Sequence, residues 1–183
     1  MEHKSTFWKS AMIYGLYLGI VITLYSVILY VAGQNANKSL GYISFLLYAI
    51  GIVLVQVYYR DHELNGSISY GQAVGFGVAV MLCAGIITAL YSIIIYKIDP
   101  SLIEQIKAMT EEQYLKSGMS EDQVETTMSV ASKLMTPGIL AISGLFSSVL
   151  VGTIISLISS IFVKKQLNED AFDEAMDEIK NEE

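Results

Sequence analysis

Asp61, His62 and Glu63 stand in a row, and two carboxylates with an imidazole are residue types that hold a metal ion or move protons. Adjacent residues point in different directions in a helix or a strand, so three consecutive ligands do not converge on one ion. Asn65-Gly66 follows at once and is a turn signal, so the triplet reads as a solvated turn. The other histidine, His3, lies near the terminus, and Cys83 lies within an apolar run, where a thiol stays neutral and packs as a small apolar group. One cysteine and two histidines exclude a disulfide framework and a Cys/His zinc site, and they leave no credible Ser–His–Asp arrangement. Gly71, Gly75 and Gly77 lack the Lys and Ser/Thr of a phosphate-binding loop. Glu104 and Glu111 fall on a face that reads as solvated. The expectation is a chain that is not an enzyme, with no catalytic, cofactor-binding or metal site.

The elements that carry these residues explain the scarcity. Of 183 residues, 53% are hydrophobic and 16% charged, so charge is the depleted class. Four runs, Ser10–Ala32, Leu40–Tyr59, Gly71–Tyr96 and Gly138–Val163, contain no Asp, Glu, Lys or Arg. Each is long enough for a helix to cross the hydrocarbon, which takes about 20 residues. Trp8, Tyr30, Tyr42, Tyr58, Tyr59, Tyr70 and Tyr96 stand near their ends, at the depth aromatic residues with a polar tip prefer. The first run is longer than a secretory signal and no small-residue cleavage site follows, so it reads as an uncleaved anchor. The fold class expected is all-α: a polytopic membrane protein of four transmembrane helices.

Four spans put both termini on one side. With the termini in the cytoplasm, Lys4, Lys9, Arg60, Lys164 and Lys165 flank the inner ends, and Lys38, Lys97 and Lys133 the outer ends. That bias favours cytoplasmic termini, although Lys180, Lys107 and Lys116 narrow it. The spans hold no ionisable group in their cores, which argues against a proton-coupled pump. Gln56 and Gln72, near span ends, are their strongest polar groups. Asn37-Lys38-Ser39 and Asn65-Gly66-Ser67 match the glycosylation pattern but fall on opposite sides of such a bundle, and they read as chance matches.

The net charge of −7 belongs to two segments. Residues 1–98, holding three spans, carry five Lys and Arg against three acids; residues 137–163, the fourth span, carry none. Residues 99–136 carry three Lys against seven acids, and the tail 164–183 three against eight. Within 99–136, Asp99-Pro100 reads as a cap followed by Pro at a first helical position. Ile98, Leu102, Ile103, Ile106 and Met109 form an apolar stripe. Gly118 offers a left-handed stop, Ser120 with Gln123 a capping box, and Val124, Met128, Ala131, Leu134 and Met135 a second stripe before Thr136-Pro137-Gly138. The reading is an extramembrane helical hairpin whose arms pack on each other and the membrane surface, or dock a protein partner. It is too acidic to bind anionic lipid. In the tail, Leu167, Ala171, Phe172, Ala175, Met176 and Ile179 recur at helical spacing, which makes 166–183 a second candidate partner segment.

Small residues four apart let membrane helices approach closely. Such rows are Gly15 and Gly19 in the first span; Gly71, Gly75 and Ala79 in the third; and Gly144, Ser148, Gly152 and Ser156 in the fourth. They predict a compact bundle; packing within the monomer is the more frequent use of such rows, and a homo-oligomer is the alternative. Nothing basic enough to bind nucleic acid is present.

Phe7-Trp8-Lys9-Ser10, Tyr14-Gly15, Leu40-Gly41-Tyr42, Tyr59-Arg60-Asp61, Ile68-Ser69-Tyr70-Gly71-Gln72-Ala73, Asp99-Pro100 and Met135-Thr136-Pro137-Gly138 recur in a characteristic order. Through them the chain resembles a family of small bacterial membrane proteins, domain of unknown function 4199, over about residues 5–165. The resemblance implies a four-span protein of the bacterial inner membrane and supplies no activity. The functional expectation is a scaffold or modulator acting through the acidic hairpin or tail. The alternative is a passive channel or small-solute transporter with a hydrated path along Thr23, Ser26, Thr88, Ser92, Ser148 and Ser156.

Overall fold

The computed structural model describes residues 2–35 and 37–165, so the amphipathic tail pattern from Leu167 onward lies outside the described residues. The described residues form six helices: α1 Glu2–Val31, α2 Lys38–Glu63, α3 Tyr70–Ile98, α4 Ser101–Lys116, α5 Glu121–Leu134 and α6 Pro137–Val163. Helices α1, α2, α3 and α6 are long and apolar enough to cross a membrane, and the protein is a multi-pass membrane protein. Their outward residues are large and apolar. Phe162 and Val31 are 80% exposed and Tyr42 71%, a surface that a bilayer covers and water would not tolerate.

Local chemistry fixes the ends. Asn37 starts α2 by accepting the Ser39 N–H, and Thr136 starts α6 by accepting the Ile139 N–H, with Pro137 at the first helical position. Ser120 and Gln123 form both halves of the expected capping box at α5, and Gly118 takes the left-handed turn (φ +89°) that ends α4. Ser69 and Gln72 make the same box at α3, which gives Gln72 a structural role. Pro100, expected at the first helical position, stands at the cap of α4, and Asp99 just before it accepts through Oδ1 from the Ser101 N–H at 3.0 Å and from the Ser101 hydroxyl.

Helix α3 is the centre of the bundle, with α1 and α6 against its flanks and α2 more loosely beside α6. The core gathers at the end away from the hairpin, around Phe76, Ile52, Met81 and Val80. There Tyr59 stacks on Phe76 with centroids 3.8 Å apart, and Phe7 meets the edge of the same ring at 5.6 Å. Hydrogen bonds clasp that end shut. Ile68 and Lys165 exchange N–H···O bonds of 2.7 and 3.0 Å, and Arg60 Nη1 donates to the last-turn carbonyl of Val163 at 3.0 Å.

The packing rows differ from the expectation in part. A side chain at Gly15 would strike Cys83 and the Val80 carbonyl, one at Gly19 the Ile87 side chain, and one at Gly152 Met81. Ala79 and Ser156 are buried, and Ser148 faces Gly85. Gly71, Gly75 and Gly144, however, have open space where a side chain would stand, and Gly77 and Gly85 take the contacts. The reason is angular. Each four-residue step overshoots a full turn by about 40°, so a strict four-residue row winds off the contact face. The buried face of α6 runs instead through Ala141, Gly152, Ser156, Ser159, Ser160 and Val163, mixing steps of three and four. Gly152→Leu is expected to lower stability in detergent by about 1–3 kcal/mol through overpacking. A wild-type melting curve for this variant would contradict the close α3–α6 contact.

Candidate functional site

The Asp61-His62-Glu63 triplet is part of α2, not the solvated turn that the sequence suggests. The turn comes later, at Asn65 (φ +53°) and Gly66 (φ +83°). Helix geometry sends the three side chains apart, as expected. Asp61 pairs with Arg60 at 2.6 Å, and His62 stacks on Tyr58 at 3.9 Å. Glu63 turns inward, accepting from the Tyr14 hydroxyl at 2.8 Å and from the Ser10 hydroxyl. Among the described residues no group of three or more His, Cys, Asp or Glu side chains comes together.

At the same end, Gln56 is fully buried where α2, α3 and α6 meet. Its Nε2 donates to the Ala73 carbonyl at 2.9 Å and to Ser160 Oγ at 3.2 Å, and its Oε1 accepts from the Ser159 hydroxyl at 2.6 Å. Gly77 makes room for it: a side chain there would meet Gln56 Nε2 and Ser156 Oγ. This amide ties three helices where the lipid offers no partner.

The hairpin end is built differently. A cavity of about 410 Å³ opens between α1, α2, α3 and α6, with the first turns of α4 over it. Leu102, Ile106 and Met109 of the predicted hairpin stripe line it, and Leu102, Ile103 and Val124 are buried. Ile98 and Leu134 are 69% and 57% exposed and so stand outside the packed stripes. Of the hydroxyls read as a hydrated path, Ser26, Thr88, Ser92 and Ser148 line this cavity. Thr23 and Ser156 do not: the hydroxyl oxygen of each is buried without a partner among the described residues, and Ser156 packs against Gly77. The expected row is thus divided between the cavity and the packed core beneath it.

Asp99 anchors the hairpin to the bundle. Its Oδ2 accepts from the Tyr30 hydroxyl at 3.1 Å while Oδ1 accepts from the first-turn Ser101 N–H of α4. The Ser101 hydroxyl, its backbone N–H and the Tyr30 hydroxyl together hold this carboxyl below its usual range. A depressed folded-state value means stability that is present above the unfolded value of about 3.9 and lost as pH falls through the folded one. Melting temperatures of the wild type and Asp99→Asn should therefore differ at neutral pH and converge below pH ~4. A constant gap across that range would show that the carboxylate contributes no proton-linked stability.

The model of a family described as Protein of unknown function (DUF4199) matches residues 13–165. The chain belongs to this family. The DUF4199 match covers most of α1 and all of the other spans and the hairpin, so Gln56, Glu63, Asp99 and the cavity lie within it. The tail beyond residue 165 lies outside the matched DUF4199 region. No curated protein and no solved structure matches the chain. Sequence reasoning places Asp61, His62 and Glu63 in a turn, and a helix running four residues past Tyr59 accounts for the difference.

Proposed function

We propose that this protein is a non-enzymatic modulator of the bacterial inner membrane that acts on a partner protein through its acidic hairpin. The observation that supports this is the hairpin's mechanical position. Its first arm lies over the cavity between the spans and is held by Tyr30 and Asp99, while its second arm packs mainly on the first. A change within the bundle would then move α5, which carries Glu121, Asp122 and Glu125 exposed. With cytoplasmic termini this acidic surface faces the periplasm, and the basic residues Arg60, Lys164 and Lys165 sit at the inner face. The test is crosslinking in native membranes followed by identification of captured proteins. Neutralising Glu121, Asp122 and Glu125 to Gln, Asn and Gln should remove captured partners while lowering the melting temperature only slightly, since two of them stand in the first turn of α5. An unchanged capture profile, for this variant and for one lacking 166–183, would sink the proposal.

A second reading, a small-solute transporter, draws support from the hydroxyl-lined cavity. Flux of ions or neutral solutes into liposomes holding the purified chain would favour it over the modulator.

A further inference from the structure

We propose that the hairpin-end cavity is a binding site for an uncharged organic molecule with an apolar body and a hydroxyl group that donates a hydrogen bond. Its volume of about 410 Å³ falls within the range of about 300–1,000 Å³ of small-molecule sites. No Asp, Glu, Lys, Arg or His lines it among the described residues. A charged ligand would shed its water there and meet no opposite charge, a cost that excludes it. The walls supply aliphatic surface from α1, α4 and α6 and aromatic surface from Tyr48, Tyr91 and Tyr96.

The wall is polar without being charged, and part of it can only accept hydrogen bonds. Ser26 donates to the Ile22 carbonyl at 3.0 Å, Thr88 to Gly85 at 3.0 Å, Ser92 to Thr88 at 2.9 Å and Ser148 to Leu145 at 2.8 Å. Each hydroxyl proton is spent on its own helix, and Tyr30 spends its proton on Asp99. What these four hydroxyls turn toward the cavity, from three different helices, is a set of oxygen lone pairs, while Ser44, Asn35 and Gln105 and the hydroxyls of Tyr48, Tyr91 and Tyr96 add groups that can donate. Such a wall both accepts and donates hydrogen bonds, and a hydroxyl, which does both, complements it; its proton is what the four lone-pair oxygens need. Gly41 and Gly144 also line the space with nothing within 4 Å of where a side chain would stand, so the room beside them is unfilled.

This inference does not depend on the hairpin docking a protein. The probes are a diazirine-tagged straight-chain alcohol and its methyl ether, photolysed with the full chain in nanodiscs and mapped by peptide mass spectrometry. The ether keeps the shape and the acceptor but cannot donate. The alcohol is expected to label the segments Thr88–Tyr96 and Leu102–Met109, and the ether to label them about tenfold less, as for the loss of one hydrogen bond. Gly144→Leu fills the cavity from a position with free space and should abolish labelling at an unchanged melting temperature, whereas Gly75→Leu, equally open but outside the cavity, should retain it. Gly41→Leu serves in the same way should Gly144→Leu fail to fold. Equal labelling by alcohol and ether, labelling confined to lipid-facing positions, or labelling that survives in the folded filled variant overturns the proposal.

Discussion

Gly15→Val should separate α1 from α3 and cost about 3 kcal/mol or more, the upper range for overpacking. The added carbons would meet the Val80 carbonyl oxygen at 2.8 Å and the Ala84 nitrogen at 3.3 Å, besides the Cys83 side chain. Two of these atoms are backbone of the central helix, which cannot rotate aside as a side chain can. Membrane helices associate through close packing rather than hydrophobic expulsion from water, so little compensates for a widened seam. Gly71→Val and Gly75→Val provide the internal control. Both positions face open space, and both should stay within about 0.5 kcal/mol of wild type. Unfolding in detergent measures all three; equal losses would mean that α1 does not sit on α3 as described.

Gln56→Leu is expected to cost about 2 kcal/mol. The amide makes three interhelical bonds, and each such bond in a membrane protein averages about 0.6 kcal/mol with a maximum near 1.7. Leucine fills the space but leaves the Ser159 and Ser160 hydroxyls facing an apolar neighbour. The sharper measurement is a double-mutant cycle with Ser159→Ala. Once Gln56 is gone, removing the Ser159 hydroxyl should cost nearly nothing, so the two losses should not add. Strict additivity would show that the 2.6 Å contact carries no energy.

The spans and the hairpin are legible in the sequence because they rest on one-dimensional signals. A charge-free run, a proline after a cap or a glycine at a left-handed turn acts within a few residues. Ser120 with Gln123, Gly118 and Thr136-Pro137 all do in the structure what their spacing implies. The contact faces are less legible, because a row of small residues does not say which neighbour it meets. Gly144 and Gly152 belong to the same row, yet one borders a cavity and the other touches Met81. Long-range pairings are the least legible. Gln56 stands out only as a polar residue near a span end, and nothing within its own helix points to Ser159 and Ser160 more than a hundred residues later. Glu63 was hidden in the same way: its partners Ser10 and Tyr14 lie 53 and 49 residues earlier, on a helix already complete. The cavity has no signature at all in one dimension, being the space that four helices and α4 leave between them.

The Gln56 network also bears on biogenesis. Two of its three bonds come from α6, which is synthesised last of the six helices. A nascent chain with three spans inserted therefore holds a half-satisfied amide at the α2–α3 contact, exposed where hydrocarbon offers nothing in exchange. Arrival of the fourth helix quenches that amide, and the Ile68–Lys165 clasp then locks the newcomer in place. A chain truncated before α6 would keep that amide in the bilayer without its two α6 partners.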